Sequence, residues 1–223
     1  MGQIYLVRHG QASLGAENYD QLSPLGTLQS ARLGAYFKES AIFFEAAYVG
    51  TLVRQQHTLT ELVRGLGVEN LFITSQPALN EYDSAAVIKS VCEQDIPKAS
   101  TREGYKAYFK LLRVGLLSWM QGKTKPVGMP SFKEFESNLI NTLNHIETHH
   151  TGNVLVVSSG GPISTLISHL LDTSDSGRVE LNLQLRNTCV SELQYTKNRA
   201  RVISFNSLNH LSLPTYADWI TYA

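Results

Sequence analysis

The segment Val154-Leu155-Val156-Val157-Ser158 is apolar almost from end to end. A strand that offers water no polar face has to be covered on both sides, as a central strand of a parallel sheet is. It runs into Ser159-Gly160-Gly161-Pro162, a turn that opens a helix expected to reach about Leu171. The same order of apolar strand, loop and helix recurs upstream. Ile4 to Val7 reads as a strand that enters Arg8-His9-Gly10-Gln11. Ser23 and Pro24 suit the N-cap and first position of a helix. Its apolar residues Leu25, Leu28, Ala31, Leu33, Ala35 and Phe37 end near Ser40. Ala46 to Val49 is a second strand, followed by a helix from about Leu52 to Leu66 that Gly67 stops. Leu71 to Thr74 is a third strand, which leaves through Pro77-Ala78-Leu79-Asn80-Glu81. Such alternation predicts an α/β fold, a three-layer α/β/α sandwich around a mostly parallel sheet.

Between roughly Ser84 and His150 the pattern is mostly helical. Tyr105, Tyr108, Phe109, Leu112, Leu116 and Trp119 share one face, and Gly122 to Pro130 is a loop. Ser131 and Glu134 have capping-box spacing, ahead of a helix carrying Phe132, Phe135, Leu139, Leu143 and Ile146. Cys189 to Tyr195 and Val202 to Phe205 read as a hairpin joined at Lys197-Asn198-Arg199. The expected organisation is one domain, 1–223, with a helical insert at about 84–150.

Lys plus Arg and Asp plus Glu both number 19, which gives no basic excess of the kind a nucleic-acid or membrane-surface binder needs. No segment is long and apolar enough to span a bilayer, and the start lacks a signal-peptide pattern. The expectation is a cytoplasmic protein with no nucleic-acid or membrane partner. Cys92 and Cys189 are far apart, lack metal or redox spacing and read as small core residues. No histidine and carboxylate set has zinc-ligand spacing, so neither metal nor cofactor is expected.

Four groups lie where a predicted strand meets a loop or helix: Arg8-His9-Gly10, Arg54, Glu81 and Ser159-Gly160-Gly161. In a parallel sheet these junctions share one edge. Two guanidinium forks and a glycine-rich helix start would bind a dianion. The positive charge would keep a neighbouring imidazole neutral and nucleophilic. A carboxylic acid at the rim could protonate a leaving oxygen. This is equipment for phosphoryl transfer through a phosphohistidine. Taken singly, Arg8-His9-Gly10 is an ordinary polar strand end and Glu81 a solvated loop carboxylate.

Leu6-Val7-Arg8-His9-Gly10-Gln11 resembles the signature of the histidine phosphatase superfamily, also called phosphoglycerate-mutase-like. Tyr19-Asp20-Gln21-Leu22-Ser23-Pro24 through Gln29-Ser30-Ala31, Thr51-Leu52-Val53-Arg54 with Thr58, and Leu79-Asn80-Glu81 follow its pattern in order. Asn187-Thr188 and Phe205-Asn206 through His210-Leu211 resemble its closing motifs. The resemblance covers nearly the whole chain. It implies a phosphoglycerate-mutase-like fold, His9 as the phosphorylated histidine, Glu81 as the acid, and Arg8, Arg54, Ser159 and Gly160 as phosphate contacts. The implied substrate is a phosphorylated small molecule.

The family carries a second histidine just before its paired glycines, and here Ser159 stands there. Ser159 can donate one hydrogen bond but carries no charge. Losing one donor aimed at transition-state charge costs about 10²–10³ in rate. The first expectation is therefore a phosphatase acting on monoesters. The second is a degenerate phosphatase that binds a phosphorylated ligand. A phosphoglycerate-type mutase ranks lower, because Gln11 to Tyr19 lacks the Trp-Asn and Phe-Thr-Gly-Trp pattern of glycolytic mutases. A serine hydrolase built on Ser159 ranks low as well, since Val157 stands where its elbow needs glycine. His57, next to Arg54 on one helix face, and His210 are candidates to replace the missing histidine. His145, His149, His150 and His169 read as solvated or packing residues. Arg102, Tyr105, Arg113 and Lys123 are the insert's candidates for lining a pocket, with solvent as the alternative.

Overall fold

The computed structural model describes residues 1–12, 20–94 and 101–222. The part of the expected first loop at 13–19 and the stretch 95–100 of the helical middle lie outside the described residues.

Six strands form one sheet: β1 (Gly2–Arg8), β2 (Ala46–Val49), β3 (Phe72–Ser75), β4 (Asn153–Ser158), β5 (Val190–Thr196) and β6 (Arg199–Ser207). Their order is β3-β2-β4-β1-β5-β6. The first four are mutually parallel, and β5 turns the sheet antiparallel against β1. The apolar strand β4 is central, as its composition demands. Its neighbours keep a common register, with Arg8 beside Ser158 and Val49 beside Val157. The exits of β1, β2 and β4 therefore open at one edge of the sheet, the place where such folds hold ligands.

Strand residues alternate between two cores. Tyr5, Val7, Ala47, Val49, Leu155 and Val157 face the helices α1 (Pro24–Glu39) and α2 (Val53–Leu66). Ile4, Leu6, Ala46, Tyr48, Val154 and Val156 face the opposite layer, built from α3 (Ser84–Lys89), α4 (Arg102–Met120), α5 (Phe132–His149), α6 (Gly160–Leu171) and α7 (Asp175–Gln184). The result is a three-layer sandwich. Among the described residues no helix is long and apolar enough to cross a membrane.

The local signals act as the chemistry requires. Ser23 Oγ accepts from Gly26 N at 3.0 Å, Gly67 closes α2 at φ 71°, and Ser131 and Glu134 cap one another reciprocally. The buried face of α1 differs from the expected apolar stripe. It consists of Gly26, Gln29, Ser30, Leu33, Gly34 and Phe37, while Leu28 is exposed. Small residues win there because α1 and α2 nearly touch: a Cβ on Gly34 would lie 2.0 Å from the Leu62 carbonyl oxygen. Strand β3 starts one residue later than expected and sits at the sheet edge with Phe72 and Ile73 exposed. On α4, Tyr105 is exposed, unlike Leu112, Leu116 and Trp119. Cys189 is buried and Cys92 partly so, both as free thiols.

Candidate active site

The last residue of β1 and the next one deliver Arg8 and His9 to the open edge, both buried. Backbone bonds hold them from both sides, His9 N to Ser158 O at 2.9 Å and Arg8 N to Cys189 O at 3.1 Å. His9 Nδ1 lies 2.8 Å from the carbonyl oxygen of Gly10, which can only accept, so this nitrogen carries the proton. Arg54 Nε lies 3.2 Å from His9 Nε2 and can only donate, so Nε2 carries the lone pair. Both contacts specify one tautomer of a neutral imidazole. Its pKa is held well below the ordinary histidine value by burial first, then by the Arg8 and Arg54 charges.

Arg54 belongs to the first turn of α2. Its guanidinium pairs with Asp20 at 2.8 Å, and the same carboxylate accepts the α2 backbone N–H groups of Val53 at 2.9 Å and Arg54 at 3.3 Å. A carboxylate at that position satisfies orphan helix donors while aiming the arginine. Arg8 reaches the Leu185 carbonyl through one terminal nitrogen. Its Nε is buried with no hydrogen-bond partner among the described residues. A buried guanidinium donor without an acceptor is costly.

Gly10 lies against α1, where a Cβ on it would be 2.5 Å from Gly26 O. Gly10 N donates to Thr58 Oγ1 at 3.0 Å, and Asn187 Nδ2 donates to His9 O at 3.2 Å.

Glu81 follows the 3₁₀ turn Pro77–Leu79. Its carboxylate accepts from Gly161 N, at 3.1 Å to Oε1 and 3.2 Å to Oε2, at the N-terminus of α6. Burial raises its pKa, against the lowering effect of the Gly161 bond and of the Arg54 and Arg8 charges. Ser159 stands at the N-cap position of α6 without a side-chain capping bond and is fully buried, and its Oγ accepts from Gln55 Nε2 at 2.8 Å. Gln55 also donates to Leu79 O at 3.0 Å, tying the exits of β3 and β4 together. A Cβ on Gly160 would lie 2.6 Å from Asn182 Oδ1, so helix α7 closes tightly over this turn.

The other histidines lie elsewhere. His57 faces Glu61 at 3.7 Å, and Thr58 is the residue of that turn that reaches the His9 loop. His210 is buried against Thr188 Oγ1 at 3.0 Å. His145 stacks on His149, His150 pairs with Glu45, and His169 is exposed. Arg113 pairs with Glu180, Tyr105 stacks on Phe109 at the surface, and Arg102 and Lys123 face solvent. A cleft of about 740 Å³ lies between the Gln76–Asp83 segment and α5, and none of these four residues lines it. Among the described residues no group of three or more His, Cys, Asp or Glu could hold a metal. The structure adds Gln55 and Asn187 to the site, together with roles for Asp20 and Thr58. Gln55 had no signal beyond its position beside Arg54. The other three lie in motif segments that say nothing of their contacts.

The family model described as "Histidine phosphatase superfamily (branch 1)" matches residues 4–208. A 2,3-bisphosphoglycerate-dependent phosphoglycerate mutase of Rhizobium johnstonii is 36% identical over 88 residues, which are 37% of this chain and 42% of that protein. The chain thus spans about two fifths of the length of the curated relatives it matches. Phosphoglycerate mutase from Bacillus anthracis superposes with a TM-score of 0.64 at 21% identity, covering 94% of both chains. Phosphoserine phosphatase from Entamoeba histolytica, in complex with 3-phosphoglyceric acid, gives a TM-score of 0.65 at 19% identity, covering 95% of this chain and 100% of that one. At such identities the likeness is one of fold.

Proposed function

Because the chain belongs to the histidine phosphatase superfamily, we propose that it hydrolyses phosphate monoesters of small molecules through a phosphohistidine at His9. The observation that carries this reading is the pair of contacts on one imidazole, Nδ1 on Gly10 O at 2.8 Å and Nε2 facing Arg54 Nε at 3.2 Å. They leave a lone pair on Nε2 beside two guanidinium groups.

Arg8 and Arg54 hold the phosphoryl oxygens, and the unpartnered Nε of Arg8 gains its acceptor. His9 Nε2 attacks phosphorus as the bond to the ester oxygen breaks. The carboxylic proton of Glu81 passes to that oxygen, and the alcohol leaves. Glu81, now a carboxylate, takes a proton from water as the water oxygen attacks phosphorus and the P–N bond breaks. Inorganic phosphate departs with both residues restored. Ser159 Oγ accepts from Gln55, which leaves its own proton to donate to a phosphoryl oxygen, beside the N–H of Gly160. No metal or cofactor enters these steps.

A second reading rests on the same serine. If Ser159 stands for the family's second histidine, the site lacks one positive charge and the protein is a weak or inactive phosphatase that binds a phosphorylated ligand. Loss of one such donor costs about 10²–10³ in rate, which phosphatase catalysis can absorb. The retained nucleophile and acid favour the enzyme. The mutase activity of the curated relatives ranks below both, for want of the mutase pattern in Gln11 to Tyr19. The test is hydrolysis of an aryl phosphate by the purified protein and by His9→Ala. Activity lost with His9 supports the phosphatase. Activity absent in both favours the binding role, and activity retained in the variant rules the mechanism out.

A further inference from the structure

Four hydrogen bonds run head to tail from Gln11 back to His9. Gln11 N donates to Gln29 Oε1 at 2.9 Å, and Gln29 Nε2 donates to Thr221 Oγ1 at 2.9 Å. Thr221 Oγ1 donates to Asn187 Oδ1 at 3.0 Å, and Asn187 Nδ2 donates to His9 O at 3.2 Å. Each amide spends its oxygen on one neighbour and its nitrogen on the other. The hydroxyl of Thr221 joins them, accepting and donating through a single atom. Such a chain polarises in one sense, and it sets which way both amides face. Gln29 and Asn187 are buried, so neither has water as a substitute partner.

The geometry points to Thr221 as a positioning residue for the nucleophile: its hydroxyl closes a ring that fixes the backbone on both sides of Gly10. The inference rests on the reading of His9 as nucleophile. Displacing a reacting group by about 1 Å can cost about 10² in rate. Without the hydroxyl, Asn187 Oδ1 loses its donor and Gln29 Nε2 loses one acceptor, so the hold on Gln11 N loosens and His9 O relies on Thr188 N at 3.3 Å. Docking of the segment does not depend on that hydroxyl. Asn187 N still donates to Thr221 O at 3.0 Å, and Gln29 Nε2 to Trp219 O at 2.6 Å. Anchoring and positioning are therefore separable.

The test compares Thr221→Val, which keeps the shape, with Thr221→Ser, which keeps the hydroxyl, in the full chain. Two readouts are taken: kcat and KM on an aryl phosphate, and amide hydrogen exchange at Gln11 and Gly10 by NMR. The Gly10 amide is the internal control, because Thr58 holds it independently. The expected result for the valine variant is a fall in kcat of about tenfold with KM within about twofold. Exchange at Gln11 quickens while Gly10 stays protected, and serine restores both. Unchanged kcat and unchanged Gln11 protection in the valine variant would overturn the inference, as would failure of serine to restore them. A wild-type protein inactive on the aryl phosphate refutes the phosphatase reading instead. The exchange arm still decides the ring: faster Gln11 exchange restored by serine upholds it, and unchanged exchange overturns it.

Discussion

Arg54 Nε donates to His9 Nε2 across 3.2 Å, from a guanidinium that Asp20 holds by another nitrogen at 2.8 Å. A cation facing the imidazole lone pair keeps it unprotonated, and on the proposed mechanism it is where the phosphoryl oxygens are received. An incoming phosphoryl group would exchange the imidazole for a better acceptor and present phosphorus to the nitrogen just released. Asp20 makes this arrangement rigid, since its carboxylate also accepts from the backbone of Val53 and Arg54.

The pH dependence of hydrolysis follows from two opposed shifts. His9 must be unprotonated to attack, and its pKa lies well below the ordinary 6.5, so activity rises with pH through that lowered value. Glu81 must be protonated to act as acid, and its pKa lies above the ordinary 4.5, so activity falls as pH rises through that raised value. The kcat/KM profile is expected to be bell-shaped, rising through the lowered His9 value and falling through the raised Glu81 value. Glu81→Gln is expected to abolish the alkaline limb and lower kcat by about 10²–10⁴ on an alkyl phosphate. A profile with no alkaline fall, or one whose alkaline fall survives in Glu81→Gln, would contradict these assignments.

Gly161 leaves no room for a side chain. Its Cβ would lie 2.3 Å from Glu81 Oε1 and 2.5 Å from the Tyr82 ring. Gly161→Ala should displace Glu81 from the α6 N-terminus. The expected loss is about 1–3 kcal/mol of stability, the usual cost of overpacking, and a kcat decrease of about tenfold or more. Urea unfolding and steady-state kinetics on one preparation read both. Wild-type kcat in this variant would show that the Glu81 position seen here is not the working one.

Local chemistry made much of this fold legible. Ser23 with Pro24, Gly67 and the Ser131–Glu134 pair bound their helices through contacts within a few residues, so their signals stand in the chain itself. The exits carrying Arg8, Arg54, Glu81 and Ser159 were legible for the same reason. Helix α7 was not anticipated although Ser174 caps it, accepting from Gly177 N at 3.2 Å, because it is short and of its ten residues only Arg178, Val179 and Asn182 are buried. The inner face of α1 was hidden because it packs through Gly26, Ser30 and Gly34 and serves the site through Gln29, where hydrophobic period has no purchase. Gln55, Asn187 and Thr221 act through partners 24 to 192 residues away. Pairings at that distance are a property of topology and leave no spacing to read.

His210 is expected to make stability depend on pH. Thr188 Oγ1 spends its proton on Asn187 O at 2.7 Å, so His210 Nε2 donates to it and Nδ1 is left buried without a partner among the described residues. Burial, aided by the Arg32 charge, lowers its pKa from 6.5 to about 3. Between those values the unfolded chain binds a proton that the folded one refuses. The stability contribution is full above pH 6.5 and is lost as pH falls, by about 1.4 kcal/mol per unit. His9, lowered as well, adds to the slope. Urea unfolding between neutral and mildly acid pH should show a shallower loss in His210→Gln than in the wild type. Equal slopes would mean that His210 is protonated in the fold.

The phosphoryl enzyme is the measurement that bears most directly on the central claim. Mixing the protein with a ³²P-labelled phosphate ester, quenching in alkali within milliseconds and mapping the labelled peptide should place acid-labile, alkali-stable phosphate on His9, with none in His9→Ala. Turnover without label on His9, or label on another residue, would contradict a phosphohistidine mechanism at this site.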